Sequence, residues 1–285
     1  MIDRSFSLRA HAKHGIVRQV VGLFNDTSRG ERPVVRSANA LFTPDSVIWR
    51  VHGDVTTMMI GGVSALLLQM LHPAVLAGVW DHSNFRKDMV GRLRRTARFV
   101  STTTYGDRAD AAAAIARVRA VHSHIGGTLV DGTPYRADDP DLLAWVHISE
   151  AWCFLAAWQR YGNRRLPRSA EDRYFADFAK VGAALGASDL PVDKAHTARA
   201  LESARPQLVA DDRTREVARL VLGHMPDNPL AIPLQRVTMQ AAVDLLPDWA
   251  RRMHGLPASP TLVRPIVSTG ALGLAKTLRW AFATP

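Results

Sequence analysis

The sequence predicts an all-α fold, a single-domain helical bundle of roughly eight to ten helices whose interior can house a cofactor. Three observations predict it. Long Ala- and Leu-rich stretches favour helix. The apolar/polar alternation that marks strands is weak throughout. Apolar residues instead recur at three- and four-residue intervals, as in Ala111, Ile115, Val118, His122 and Ile125. The chain has 285 residues, 47% of them hydrophobic and 22% charged. It is therefore long and apolar enough to bury a substantial core and is not a disordered chain.

The elements follow in order. The first forty residues read as peripheral, with a polar turn around Ser28, Arg29, Gly30 and Glu31. Thr43 before Pro44 predicts a helix start, and Asp54 an N-cap for the apolar run Met58–Leu71. That run is apolar nearly all round, which predicts burial on every side. Pro73 bends or ends it. A third helix is expected over about 85–102. A fourth begins at Asp107 and stops at Gly126–Gly127. The stretch 131–140 is a loop with a turn at Asp131–Gly132. A fifth, aromatic-rich helix ends at Gly162, and Ser169 with Asp172 predicts a capping box for a sixth. Further helices are expected near 193–204, 211–224, 234–253 and 259–282.

Lys and Arg outnumber Asp and Glu by 36 to 26, a formal charge of +10, which favours anionic partners. The densest cationic stretch runs from Arg86 to Arg98. The charge is too dispersed to predict a specific nucleic-acid partner. The single cysteine, Cys153, rules out an internal disulfide and a thiolate metal site and reads as a core residue. The N-terminus has no clean secretory h-region, so a cytoplasmic protein is expected. Residues 58–80 approach the length of a membrane span but contain Gln69, His72 and Pro73, so a buried helix is expected. Peripheral contact with a membrane surface stays open on the basic charge, and the oligomeric state is not legible. The patterns of a zinc protease, a nucleotide-binding glycine loop and a serine-hydrolase elbow are absent.

The chemistry concentrates in histidines. His122 stands on the apolar seam of the fourth helix, where a core residue is expected, and His124 falls off that seam. On the fifth helix Leu143, His147, Glu150, Phe154 and Ala157 share one face. Arg92 and Thr96, four apart, share a face of the third helix, with Arg95 beside them. A histidine on an apolar face is more often a hydrogen-bonded core residue than a ligand. By that reading His72 caps a helix, His82 bonds loop backbone, Arg92 lies at the surface and Glu150 pairs with a histidine or arginine. Together, however, these residues offer an imidazole, an apolar slot and cations for two propionates, which is what a haem requires. A non-haem iron set of His122, His147 and Glu150 is the alternative metal reading.

The runs LHPAVLAGVWDHSNFRKDMVGRLRRTARFV and YGDRADAAAAIARVRAVHSHIGGTLVDGTPYRADDPDLLAWVH resemble the haem-dependent oxygenase family of the latex-clearing proteins (rubber oxygenases) and the MpaB-type oxygenase. The resemblance covers about residues 40–250. It implies an all-α catalytic domain over 41–256, preceded by the peripheral segment 1–40 and followed by a C-terminal helix in 257–285 that packs on it. It also implies haem b as cofactor, with dioxygen and a hydrophobic, isoprenoid- or lipid-like small molecule as partners. By motif, His122 matches the iron ligand. Arg92 and Thr96 match an Arg-x-x-x-Thr pair beside the haem. His147 matches a further histidine of the cofactor pocket, and His72 and His82 match recurrent positions. The latex-clearing branch carries a lysine just before the motif threonine. Here that position is Arg95, which cannot act as a neutral ligand, and no residue matches that branch's glutamate base. The resemblance therefore points to the cofactor more than to rubber cleavage. The alternative reading is a non-catalytic haem- or lipid-binding helical protein.

Overall fold

Helix α3 (Val55–Gln69) is the axis around which the other helices pack. Asp54 starts it by accepting the Thr57 N–H at 2.9 Å. Eleven of its residues are buried, as its all-round apolar sequence requires. Its most extensive partner is α7 (Pro140–Tyr161). The two backbones nearly touch at Gly61, where a Cβ would lie 2.9 Å from the Cys153 carbonyl oxygen and 3.0 Å from Phe154 Cα. Glycine is required there by the close approach, not by its backbone angles.

A computed structural model describes residues 3–26, 30–226 and 228–283. Ser28 and Arg29 of the expected N-terminal turn lie outside the described residues. Around α3 and α7 the chain forms α1 (Asp3–Phe24), α2 (Val47–His52), α4 (Pro73–His82), α5 (Met89–Tyr105), α6 (Arg108–His122), α8 (Arg168–Leu185), α9 (Lys194–Ala204), α10 (Asp212–Gly223), α11 (Ile232–Val243), α12 (Asp248–Met253) and α13 (Arg264–Phe282). The all-α class is as expected, with thirteen α-helices among the described residues rather than eight to ten. Two cores flank α7. One joins α3, α4, α10, α11 and α12, and the other joins α2, α5 and α8.

The buried C-terminal end of α3 has its carbonyls satisfied from three directions. His254 Nε2 donates to Leu67 O at 2.8 Å, Trp145 Nε1 to Gln69 O at 3.3 Å, and the Val209 N–H to Leu71 O at 2.8 Å. The chain then turns through 104° into α4 at Pro73. No single helix among the described residues is long and apolar enough to cross a membrane; α3 and α4 reach that composition only as this bent pair.

Several local expectations are corrected. The peripheral N-terminus contains the 22-residue α1, which packs on α13 and α5. Thr43–Pro44 forms a turn, and Ser46 caps the following helix. The third helix starts at Met89 behind the cap Asp88, later than 85. The fourth ends at His122 with Ser123 as its C-cap. Gly126–Thr128 instead forms strand β1, paired antiparallel with β2 (Pro134–Arg136). A three-residue strand is too short for alternation to register. Pro167, not Ser169, precedes α8, and Asp172 accepts the Lys194 N–H at 3.0 Å. The 234–253 segment divides into α11 and α12.

Replacing Gly61 by alanine drives a methyl group into the α7 backbone. Chemical denaturation should show a loss of about 1–3 kcal/mol; unchanged stability would mean that α3 and α7 separate without cost.

Candidate functional site

The site is built at the open end of a helical hairpin. Asp107 caps α6, is held in turn by Ser37 and Asn39, and follows the Gly106 turn that ends α5. Counting back along α5 to Arg92 and forward along α6 to His122 gives roughly 21 and 24 Å at the standard helical rise. The two helices pack on one another, with Arg92 in the first turn of α5 and His122 at the last position of α6, each remote from the turn that joins them.

His122 occupies the last position of α6 and is half-buried. The expected seam exists, but its burial fades along the helix: Ala111 and Ile115 are buried, whereas Val118, His122 and Ile125 are partly exposed. The β1–β2 hairpin clamps this helix end. Arg136 donates to both carboxylate oxygens of Asp138, at 2.9 and 2.8 Å, and to Ser123 O at 3.3 Å. Tyr135 donates to Asp81 at 3.0 Å, and His82 Nε2 to Gly126 O at 3.0 Å, tying the hairpin to α4. Burial lowers the His122 pKa and Asp138 partly opposes this, so the imidazole is neutral at neutral pH.

On α5, Arg92 points inward rather than to the surface. Its Nη1 is buried without a partner, and desolvation, aided by Arg95, lowers its pKa to about 10. It remains a cation, and a buried cation with an unpartnered nitrogen is costly. Thr96 and Arg95 are exposed; the Thr96 hydroxyl bonds Arg92 O at 3.4 Å and Arg95 pairs with Asp88 at 3.2 Å. His82 is exposed and bonds backbone, as the bland expectation had it. His72 stands at the N-cap of α4 but makes no capping bond, and its Nδ1 is buried without a partner. His72 feels Asp139 and His122 feels Asp138, so one acidic corner lies between the two imidazoles.

His147 lies deeper. It is buried against Phe178, ring centroids 4.2 Å apart, and below Gly182, where any Cβ would collide with the imidazole at 2.8 Å. Desolvation lowers its pKa to about 4, against an opposing bond to the Phe178 backbone, while Nε2 has no partner. The void beside it measures about 10 Å³, on the order of one water, and is lined by Phe175, Pro191 and Thr197. Glu150, on the same face of α7, has Gln69 rather than a histidine or arginine as its polar neighbour, and burial raises its pKa to about 7. Glu150 nevertheless stays partly accessible, as do Arg92, His72 and His122.

Two buried histidines were missed, His254, bonded to the end of α3, and His52. His52 Nδ1 lies 2.8 Å from Thr104 Oγ1, whose hydroxyl donates onward to Val100 O at 2.7 Å. Thr104 must therefore accept, which places the His52 proton on Nδ1 and leaves Nε2 to accept from the Tyr174 hydroxyl at 3.1 Å. Desolvation, with a smaller contribution from His147, holds His52 near pKa 3. With both nitrogens engaged, His52 is a strut joining α2, α5 and α8. His52 sits in a short helix with no long periodic seam to reveal it. Among the described residues no three His, Cys, Asp or Glu side chains gather as a metal site, so His122, His147 and Glu150 do not form a non-haem iron centre.

A family model described as ER-bound oxygenase mpaB/B′/rubber oxygenase, catalytic domain, matches residues 49–280. The chain belongs to this family. The matched oxygenase domain runs from within α2 to within α13 and contains every candidate residue above. No curated protein and no solved structure matches the chain.

Glu150 supplies a pH test. Its folded pKa, about 7, lies above the ordinary carboxyl value of 4.5, so any stability from the protonated form is lost as pH rises through that window. Glu150→Gln should therefore stabilise more at pH 8 than at pH 5, by on the order of 1–2 kcal/mol. Equal effects at the two pH values would place this carboxyl in water.

Proposed function

We propose that this oxygenase-family domain uses haem b, which His122 would hold through its iron, to oxidise a hydrophobic small molecule. The observation carrying the reading is that the ends of α5 and α6 remote from their connecting turn hold a desolvated arginine with an unpartnered nitrogen and a neutral, partly accessible imidazole. A haem calls for these two groups, one neutral nitrogen for iron and a cation for a propionate. Haem bound there supplies iron able to activate dioxygen.

The chain's own residues supply the rest. Asp138, locked by Arg136, sets the field at His122. Arg92 binds a carboxylate without competition from a protein acid at its buried Nη1. Thr96, Arg95 and His82 lie on the accessible side of these elements and contribute to the rim. His147 acts through packing, holding α7 against α8. Glu150 can keep a proton near neutral pH, the property needed of a group that donates or accepts one. Met58, Met59 and Leu93 remain partly accessible on inner helices and favour an apolar substrate over a polar one.

Purified protein supplied with haem should show a Soret band and a b-type pyridine haemochrome. His122→Ala should weaken haem retention by roughly tenfold or more and change the ligation spectrum. Arg92→Ala should weaken retention while leaving the ligation spectrum unchanged. Unaltered affinity and spectrum in His122→Ala would sink the assignment.

A further inference from the structure

A cleft of about 430 Å³ opens between the first turn of α5 and the C-terminal end of α10, and nothing in the oxygenase reading uses it. Its floor is apolar, with Phe85 and Met89 buried, and its rim carries the exposed side chains of Leu220 and Met225. Lys87 and Arg219 also line it, both exposed and neither in an ion pair among the described residues. The other charges at the cleft are engaged. Arg86 pairs with Glu216 at 2.9 Å and stacks on Trp80 at 3.7 Å. Asp88 accepts the Gly91 N–H at 2.8 Å and pairs with Arg95 at 3.2 Å. The uncompensated charge is therefore positive, and it sits above an apolar floor in a concavity of the size that takes small molecules.

We propose that this cleft binds an amphipathic anion, a single carboxylate or phosphate head on an apolar chain. The head lies toward Lys87 and Arg219, and the chain lies along Phe85, Met89 and Leu220. The site is concave with a buried floor, which suits a free molecule better than a flat bilayer. Met89 sits one turn before Arg92 and Leu93 on α5, so a chain on the cleft floor runs toward the helix face that bears Arg92. That such a ligand is also the substrate rests on the oxygenase reading; its binding does not.

The test is calorimetric titration of the full chain with dodecanoate, dodecyl phosphate and dodecanol as monomers, haem content being read by absorbance in the same samples. At least one anion should bind roughly tenfold or more tighter than the alcohol, and the tighter anion names the head. Lys87→Glu with Arg219→Glu should abolish that preference, whereas Arg168→Glu, on a distant exposed helix start, should not. Leu220→Trp, which fills the cleft without touching its charge, should weaken all three ligands. The proposal is overturned if alcohol and anions bind alike, if the double charge reversal changes nothing, or if anionic vesicles bind while monomeric dodecanoate does not. Anion binding by protein that takes up no haem would defeat the oxygenase reading and leave this one standing. Haem uptake without anion binding would do the reverse.

Discussion

The backbone contact between α3 and α7 at Gly61 is the constraint on which the other positions depend. Two helices that meet at backbone distance have no side-chain layer between them to absorb error. Their relative rotation then sets which face α7 turns to α8 and which to the α5–α6 hairpin. The face with His147 and Phe154 is driven against Phe178 and His52, while Glu150 meets Gln69 at the end of α3. The satisfied carbonyls of Leu67, Gln69 and Leu71 hold the axial position, because sliding α3 along α7 would strand buried acceptors.

Much of this architecture was legible because its signals are local. Asp54, Asp107 and Gly132 act where their chemistry places them. The central helix announced itself by being apolar on every side. The failures were also physical. The Thr43–Pro44 pair has the chemistry of a helix start, but the chain uses it for a turn and begins the helix at Val47. The glycines at 126 and 127 read as a helix stop, yet Gly127 leaves room for the Tyr135 ring, which a Cβ would meet at 3.0 Å. That is a tertiary demand no window of sequence contains.

The candidate site was legible to a different depth. Spacing found the faces of His122, His147 and Arg92, and the inner ones proved buried or half-buried. Spacing could not rank them, because rank depends on what each ring nitrogen meets. His52 has both nitrogens engaged, His147 has an unpartnered Nε2 and a void the size of a water beside it, and His122 stays half-buried at a helix end. The Arg-x-x-x-Thr face likewise divides, Arg92 turning inward and Thr96 staying in solvent. A four-residue interval fixes a common side of a helix, but the depth of each residue is set by the neighbouring helices.

The β1–β2 hairpin, small as it is, changes how the end of α6 behaves. Helix termini ordinarily fray on fast timescales. Here Tyr135 and His82 tie the hairpin to α4, and Arg136 ties it back to Ser123 and Asp138, so the last turn is braced from two sides. The backbone that carries His122 is thereby held by folding rather than by whatever the imidazole later contacts. The ordering entropy is lost when the chain folds, not when a ligand arrives.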